Sequence, residues 1–151
     1  MKNAITMKSR RDFIKTGCIA CMGLTGMASL LEACSAPLQV VKLTNPSGSD
    51  LLTVPLSKFT DQIKMVLVRS AAVDDDILLV KNGESYRALL MMCTHEGVAL
   101  TATDSKIYCN AHGSQFDFAG NVTKEPALKP LKQFKTEILN NSINIYLNQK
   151  I

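Results

Sequence analysis

The sequence predicts an all-β fold, an antiparallel β sandwich or small barrel, and three observations carry that expectation. Beyond position 36, short runs of aliphatic and β-branched residues recur about every ten residues. Turn signals separate them, and no window there sustains an apolar period of 3.6 for three helical turns. The runs fall at 38–43, 51–56, 63–68, 77–81, 86–91, 98–101, 107–109, 116–118, 134–139 and 143–147. Asn45-Pro46-Ser47-Gly48 reads as the loop between the first two. Asp74-Asp75-Asp76 reads as a solvated turn before the fourth, rather than a calcium site. Asn82-Gly83 and Asn140-Asn141 mark tight hairpins, whose central residues take positive φ. A chain of 151 residues, 46% of them apolar, has room for one such domain.

Seventeen Lys and Arg stand against thirteen Asp and Glu, a net charge of +4. Residues 1–33 hold five of the basic and two of the acidic side chains, so the remainder carries twelve against eleven and is nearly neutral. A neutral body has no field to hold a polyanion, and no basic helix or aromatic-basic stripe occurs, so no nucleic-acid partner is expected. Lys124, Lys129, Lys132 and Lys135 give a local basic tint that keeps the surface soluble or steers an acidic partner.

The N-terminus reads as an address. Ser9-Arg10-Arg11-Asp12-Phe13-Ile14-Lys15 precedes a weakly apolar stretch, residues 16–31, as in an export signal. The paired arginines and Phe-Ile-Lys resemble the twin-arginine signal, which implies export of an already folded protein. Leu31-Glu32-Ala33-Cys34 resembles a lipobox, with Cys34 as the lipidated residue and Glu32 as a departure from the usual small or apolar residue. Lipidation would anchor the chain; an uncleaved segment would serve as a short membrane anchor; cleavage without a lipid would release it. The expected outcome is a membrane tether on the periplasmic or outer side. Cys18 and Cys21 lie inside this segment and read as small apolar residues. The division is therefore a signal or anchor over 1–34, a linker and first strand over 35–50, and a folded domain over 38–151.

Both histidines of the chain lie beside the two cysteines found outside the N-terminal segment, in Cys93-Thr94-His95-Glu96-Gly97 and Cys109-Asn110-Ala111-His112-Gly113-Ser114. Thiolate and imidazole together suit zinc or an iron–sulfur centre, so Cys93, His95, Cys109 and His112 are the candidate metal ligands. A structural zinc site in a binding module, or a Cys93–Cys109 disulfide formed after export, would use the same cysteines. Neither gives a use to the residues that follow His112.

The C-x-H and C-x-x-H pairs resemble the Rieske iron–sulfur family. The resemblance continues through His112-Gly113-Ser114-x-Phe116-Asp117 and the proline-bearing run Pro126-Ala127-Leu128-Lys129-Pro130. It implies a β sandwich carrying a small cluster-binding subdomain and one [2Fe–2S] cluster. Cys93 and Cys109 would bind one iron; His95 and His112 would bind the other. It also implies that Gly97 and Gly113 let the loop backbones close on the cluster, that Ser114 donates a hydroxyl to a bridging sulfide, and that the Pro126 loop covers the site. Two ferric ions, two sulfides and two thiolates sum to neutrality, whereas four thiolates would leave a dianion, so neutral imidazoles make reduction easier. The second nitrogen of each ring allows electron uptake to be coupled to a proton.

Departures from the family narrow the expectation. Two loop positions that carry a clasping disulfide in the high-potential members are Val98 and Ala111, and Phe116 stands where those members place an aromatic hydroxyl. The potential expected is within the roughly −150 to +300 mV span of Rieske centres but below its top. Glu96 places an acid where quinol-oxidising members carry an apolar residue. The two-His-one-carboxylate iron site of a ring-hydroxylating oxygenase needs further histidines, and this chain has only two. The sequence thus points to an exported one-electron carrier that catalyses no bond-changing reaction alone. It would exchange electrons with a redox protein donor and acceptor. The alternative is a quinol-oxidising subunit of a cytochrome bc-like complex.

Overall fold

The computed structural model describes residues 38–45 and 48–150. The twin-arginine run, Cys18, Cys21 and the lipobox Cys34 lie outside the described residues. Among the described residues eleven strands follow one another: β1 (Gln39–Leu43), β2 (Leu51–Pro55), β3 (Met65–Ser70), β4 (Ile77–Asn82), β5 (Ser85–Leu90), β6 (Leu100–Ala102), β7 (Ile107–Cys109), β8 (Gln115–Phe116), β9 (Val122–Lys124), β10 (Gln133–Leu139) and β11 (Ser142–Lys150). Leu56–Lys58 forms a single 3-10 turn after Pro55. One sheet has seven strands in the order β1-β3-β4-β5-β10-β11-β2, and a second has four in the order β6-β7-β8-β9. The second sheet is a continuous insertion between β5 and β10.

Three expectations need correction. β1 runs parallel to β3, with Gln39 opposite Val66, so the sheet is not wholly antiparallel. β2 intervenes in sequence but sits at the far edge against β11, and a strand that reaches its neighbour by such a crossing is free of the hairpin constraint. Strand β9 has no counterpart among the predicted runs, because Val122-Thr123-Lys124 is too short and polar to show a period. In the β4–β5 hairpin Asn82 pairs with Ser85, so the central residues are Gly83 and Glu84, and only Gly83 has positive φ. The second hairpin behaves as expected, with Asn140 and Asn141 at φ 49° and 58°.

Alternation along β4 and β5 divides the interior into two cores. Ile77 and Leu79 of β4, and Ala88 and Leu90 of β5, join Phe134, Ile143 and Ile145 within the seven-stranded sheet. Leu78, Val80, Leu89 and Met91 face the opposite way and meet Ile107 and Phe116 of the small sheet. β4 is consequently buried on both faces from Ile77 to Val80, which explains its unbroken apolar run. Each fully buried Leu or Ile here contributes about 1.5–3 kcal/mol relative to exposure.

A turn at Asp117–Asn121 locks the small sheet to this shared wall. The Asp117 carboxylate accepts hydrogen bonds from the N–H groups of Ala119 (2.9 Å) and Asn121 (2.8 Å), and from Asn121 Nδ2 (3.0 Å). Gly120 brings the turn so close to β5 that an added Cβ would lie 3.1 Å from Leu89 Cδ2. Leu131 N–H donates to the Gly120 carbonyl, and Arg87 Nη1 donates to that of Phe118. Burial alone would push the Asp117 carboxyl up. The Asn121 amide, the N–H groups of Asn121 and Ala119 and the Arg87 charge outweigh it and hold the group below its usual range. A depressed native pKa contributes stability that is present above the unfolded value of about 3.9 and is lost as pH falls through the native one. Asp117→Asn is therefore expected to cost about 1–2 kcal/mol at neutral pH, the deficit shrinking below about pH 4. Denaturant titrations of both proteins across that range measure it.

Candidate metal centre

The centre is assembled by two loops that share one closing pattern. Leu89 and Met91 point into the second core, and the same alternation carried two residues further delivers Cys93 to it, 2% exposed. The Cys93 N–H then donates to the Val98 carbonyl (2.8 Å), and the Gly97 N–H to the Cys93 carbonyl (2.8 Å). The second loop repeats this: the Cys109 N–H donates to Ser114 (2.9 Å) and the Gly113 N–H to Cys109 (3.1 Å). Cys109, like Ile107 before it in β7, faces the second core and is 2% exposed. Gly97 and Gly113 occupy the same place in each loop, at φ 70° and 80°. No atom would obstruct a Cβ at either, so backbone conformation rather than space requires glycine there.

Each loop therefore begins with a buried thiol at the end of a ladder and carries its histidine near the tip. Cys93 and Cys109 are both free thiols in side-chain contact with one another. Burial pushes the Cys109 thiol up, but hydrogen bonds from the N–H groups of Ala111 and His112, with the Cys93 contact, bring it net below its ordinary value against the opposing charge of Glu96. That favours the thiolate, the form that ligates metal. The His95 and His112 rings are exposed and stand edge to face, 5.1 Å apart at 89°. Glu96 Oε2 lies 3.5 Å from His112 Nδ1, and donor atoms of His95, Glu96 and His112 all fall within 4.8 Å of one another.

A third loop straps both. The Ser114 hydroxyl, fully buried, accepts a hydrogen bond from the Ala127 N–H (3.0 Å), and Thr94 Oγ1 donates to the Lys129 carbonyl (2.6 Å). Between them Leu128 is 81% exposed, and the Glu125–Pro126 peptide bond is cis. Asn110 Nδ2 donates to Thr101 Oγ1 (3.0 Å), tying the second loop to β6. Val98 is 37% exposed and, with Ala111, leaves the two ligand loops without a covalent link. Sequence reasoning singled out Ser114 and Pro126 but not Thr94 as a strap. A threonine between two ligands carries no signal of a contact 35 residues away.

The structure thus brings together all four of the ligand residues singled out in the sequence, with Gly97, Gly113, Ser114 and Pro126 around them. The donor set fits a [2Fe–2S] cluster: two thiols side by side in an apolar core, two imidazoles adjoining at the surface, and backbone N–H groups directed at sulfur. The disulfide alternative gives way, since both thiols are unbridged. Among the described residues no helix is long and apolar enough to cross a membrane.

Comparison with known proteins agrees with this geometry. The Rieske [2Fe-2S] domain matches residues 55–135. The cytochrome b6-f complex iron-sulfur subunit of Chlorobaculum thiosulfatiphilum is 32% identical over 74 residues, 48% of this chain and 41% of that one. The corresponding subunit 1 of a Nostoc species is 31% identical over 97 residues, 60% of this chain and 54% of that one. This chain therefore spans about half the length of these curated relatives. Among solved structures, a complex of reduced oxygenase and oxidised ferredoxin in carbazole 1,9a-dioxygenase contains a chain that is 20% identical. It aligns over 68% of this chain and 97% of that one at a TM-score of 0.52, a likeness of fold alone. With more than half its length matched by the domain and both ligand loops within the match, the chain belongs to the Rieske [2Fe-2S] family of electron carriers.

Proposed function

We propose that the protein is an exported, membrane-tethered one-electron carrier, a subunit or partner of a respiratory or oxidoreductase system. Cys93 and Cys109 hold one iron of its [2Fe–2S] cluster, and His95 and His112 hold the other. The observation that carries this is the paired placement of two buried thiols and two exposed imidazoles by loops with the same closing hydrogen bonds. When bound, the cluster supplies a one-electron couple; this chain positions, insulates and tunes it. Cys93 and Cys109 keep the sulfur side away from water. His95 and His112 present the nitrogen side to solvent, where a redox partner approaches and a ring nitrogen can exchange a proton. The strap through Thr94 and Ser114 takes the place of a covalent clasp in holding the loops. Export by the twin-arginine route and anchoring at Cys34 follow from residues 9–34.

A second reading, a quinol-oxidising subunit of a cytochrome bc-like complex, is favoured by the naming of the relatives as cytochrome b6-f subunits. Val98, Ala111 and the Glu96 carboxylate beside His112 weigh against it.

Three outcomes are expected. Cys109→Ser and His112→Leu each lose inorganic sulfide, visible absorption and the rhombic EPR signal of the reduced protein while far-UV circular dichroism stays β-type. Retention of full iron and sulfide in either variant would refute the ligand assignment. Thr94→Val keeps the cluster but lowers stability by about 1 kcal/mol and speeds its bleaching in denaturant. The reduction potential lies below the top of the roughly −150 to +300 mV span. A value at the top that falls as pH rises would instead favour the quinol reading.

A further inference from the structure

The first strand enters the domain from the side remote from the ligand loops. Leu38 already packs against the second core, so the chain is fixed from there on. Through the ladders Gln39 stands level with Val66, Leu79 and Ala88, and β1 runs from that level in the direction in which β5 leads into Cys93. Cys93 lies five residues past Ala88, about 17 Å along the strand direction. The two ligand loops and the third loop strapped to them, with its exposed Leu128, are at that end. At the opposite end, beyond the level of Gln39, are two hairpin turns. One is formed by Gly83 and Glu84. The other is formed by Asn140 and Asn141, and it reaches the same end because Thr136 Oγ1 donates to the Tyr86 carbonyl and β10 continues from there to Leu139. Ile138 and Leu139, next to this turn, are two neighbouring aliphatic side chains left 46% and 52% exposed.

We infer that this hairpin end is the membrane-facing surface of the domain, resting on the lipid headgroups with the ligand loops directed away from them. The inference rests on the proposed anchoring at Cys34 and adds an orientation to it. Only four residue steps separate Cys34 from Leu38, and a fully extended chain covers at most about 14 Å in that length. Leu38 is level with Arg87, four residues or about 13 Å from the plane of Gly83, so the linker reaches a bilayer lying against the hairpin turns. From the same level to Cys93 is six residues, about 20 Å, and the ligand loops project further, so the linker is too short to turn that end down. Ile138 and Leu139 fit the assignment, since exposed aliphatic side chains gain by leaving water for the boundary between headgroups and acyl chains. His95 and His112 then face the aqueous side, and the electron partner is a protein whose redox group stands clear of the bilayer. A quinol dissolved in the apolar core of the membrane lies on the far side of the domain.

The chain has no Trp, so a single introduced Trp reports its own depth. Leu139→Trp marks the hairpin end and Leu128→Trp the ligand end; both positions are exposed, so neither change disturbs a core. The full chain is expressed with its cluster, lipid attachment is checked by the mass of the peptide containing Cys34, and the protein is placed in vesicles containing brominated phosphatidylcholine. Bromine quenches only nearby indole, and dividing by the emission in unbrominated vesicles removes any quenching by the cluster. Leu139→Trp is expected to lose most of its emission and Leu128→Trp to keep nearly all of it. Equal quenching of the two, deeper quenching of Leu128→Trp, or quenching of neither overturns the orientation. Absence of a lipid on Cys34 refutes the anchoring reading alone. The orientation is then decided by the same measurement on the full chain carrying Cys18→Ala and Cys21→Ala and coupled through Cys34 to a maleimide lipid.

Discussion

The period-two alternation of β5 is the constraint on which the rest of the structure depends. One strand serves two cores, with Ala88 and Leu90 on one face and Leu89 and Met91 on the other. Continued three residues beyond the strand, through Met91, the second series ends in Cys93, so the thiol is buried by the same rule that buries Leu89. β7 does the equivalent for Cys109 through Ile107. The ligand loops are six residues from the first hydrogen-bonded position to the last, which leaves each histidine at or near a tip, where the backbone has turned away from the core. Sulfur inside and nitrogen outside is therefore a result of register. A one-residue slip of β5 would exchange the two faces and turn Cys93 toward the first core, away from Cys109.

The centre is held by a network of modest interactions. A disulfide between the ligand loops would contribute roughly 2–4 kcal/mol by limiting the unfolded chain, whereas Thr94 to Lys129 and Ser114 to Ala127 are single hydrogen bonds of about 1 kcal/mol each. What they offer is placement, since both end on one loop and so tie three segments at once. The strap is anchored in turn by the Asp117–Asn121 turn, where the Gly120 carbonyl accepts from the Leu131 N–H just after the third loop. The third loop is thus tied to the wall of the small sheet through Gly120, which packs against Leu89. Ser114 accepts from a backbone N–H, which fixes the position of its oxygen.

Charge is arranged locally in a body that is nearly neutral. At the imidazole end Glu96 lies beside His112, and the exposed Leu128 stands between the two points at which the third loop is strapped. At the hairpin end Lys64 and Lys81 are adjacent, and among the described residues neither has a carboxylate in ion-pair range.

Much of the protein was legible in its sequence, for identifiable physical reasons. Alternation and turn residues are local, so ten strands and the Asn140-Asn141 hairpin could be read directly, and the four candidate ligands stood out because soft donors are rare and were paired. The tertiary structure alone decided what depends on distant segments: the parallel pairing of β1 with β3, the short strand β9, and the central residues of the Gly83 turn. It also decided that Thr94 meets Lys129 and that two lysines 17 positions apart stand side by side. These are contacts between parts of the chain whose local patterns are unremarked, and only closure of the two cores fixes which of them meet.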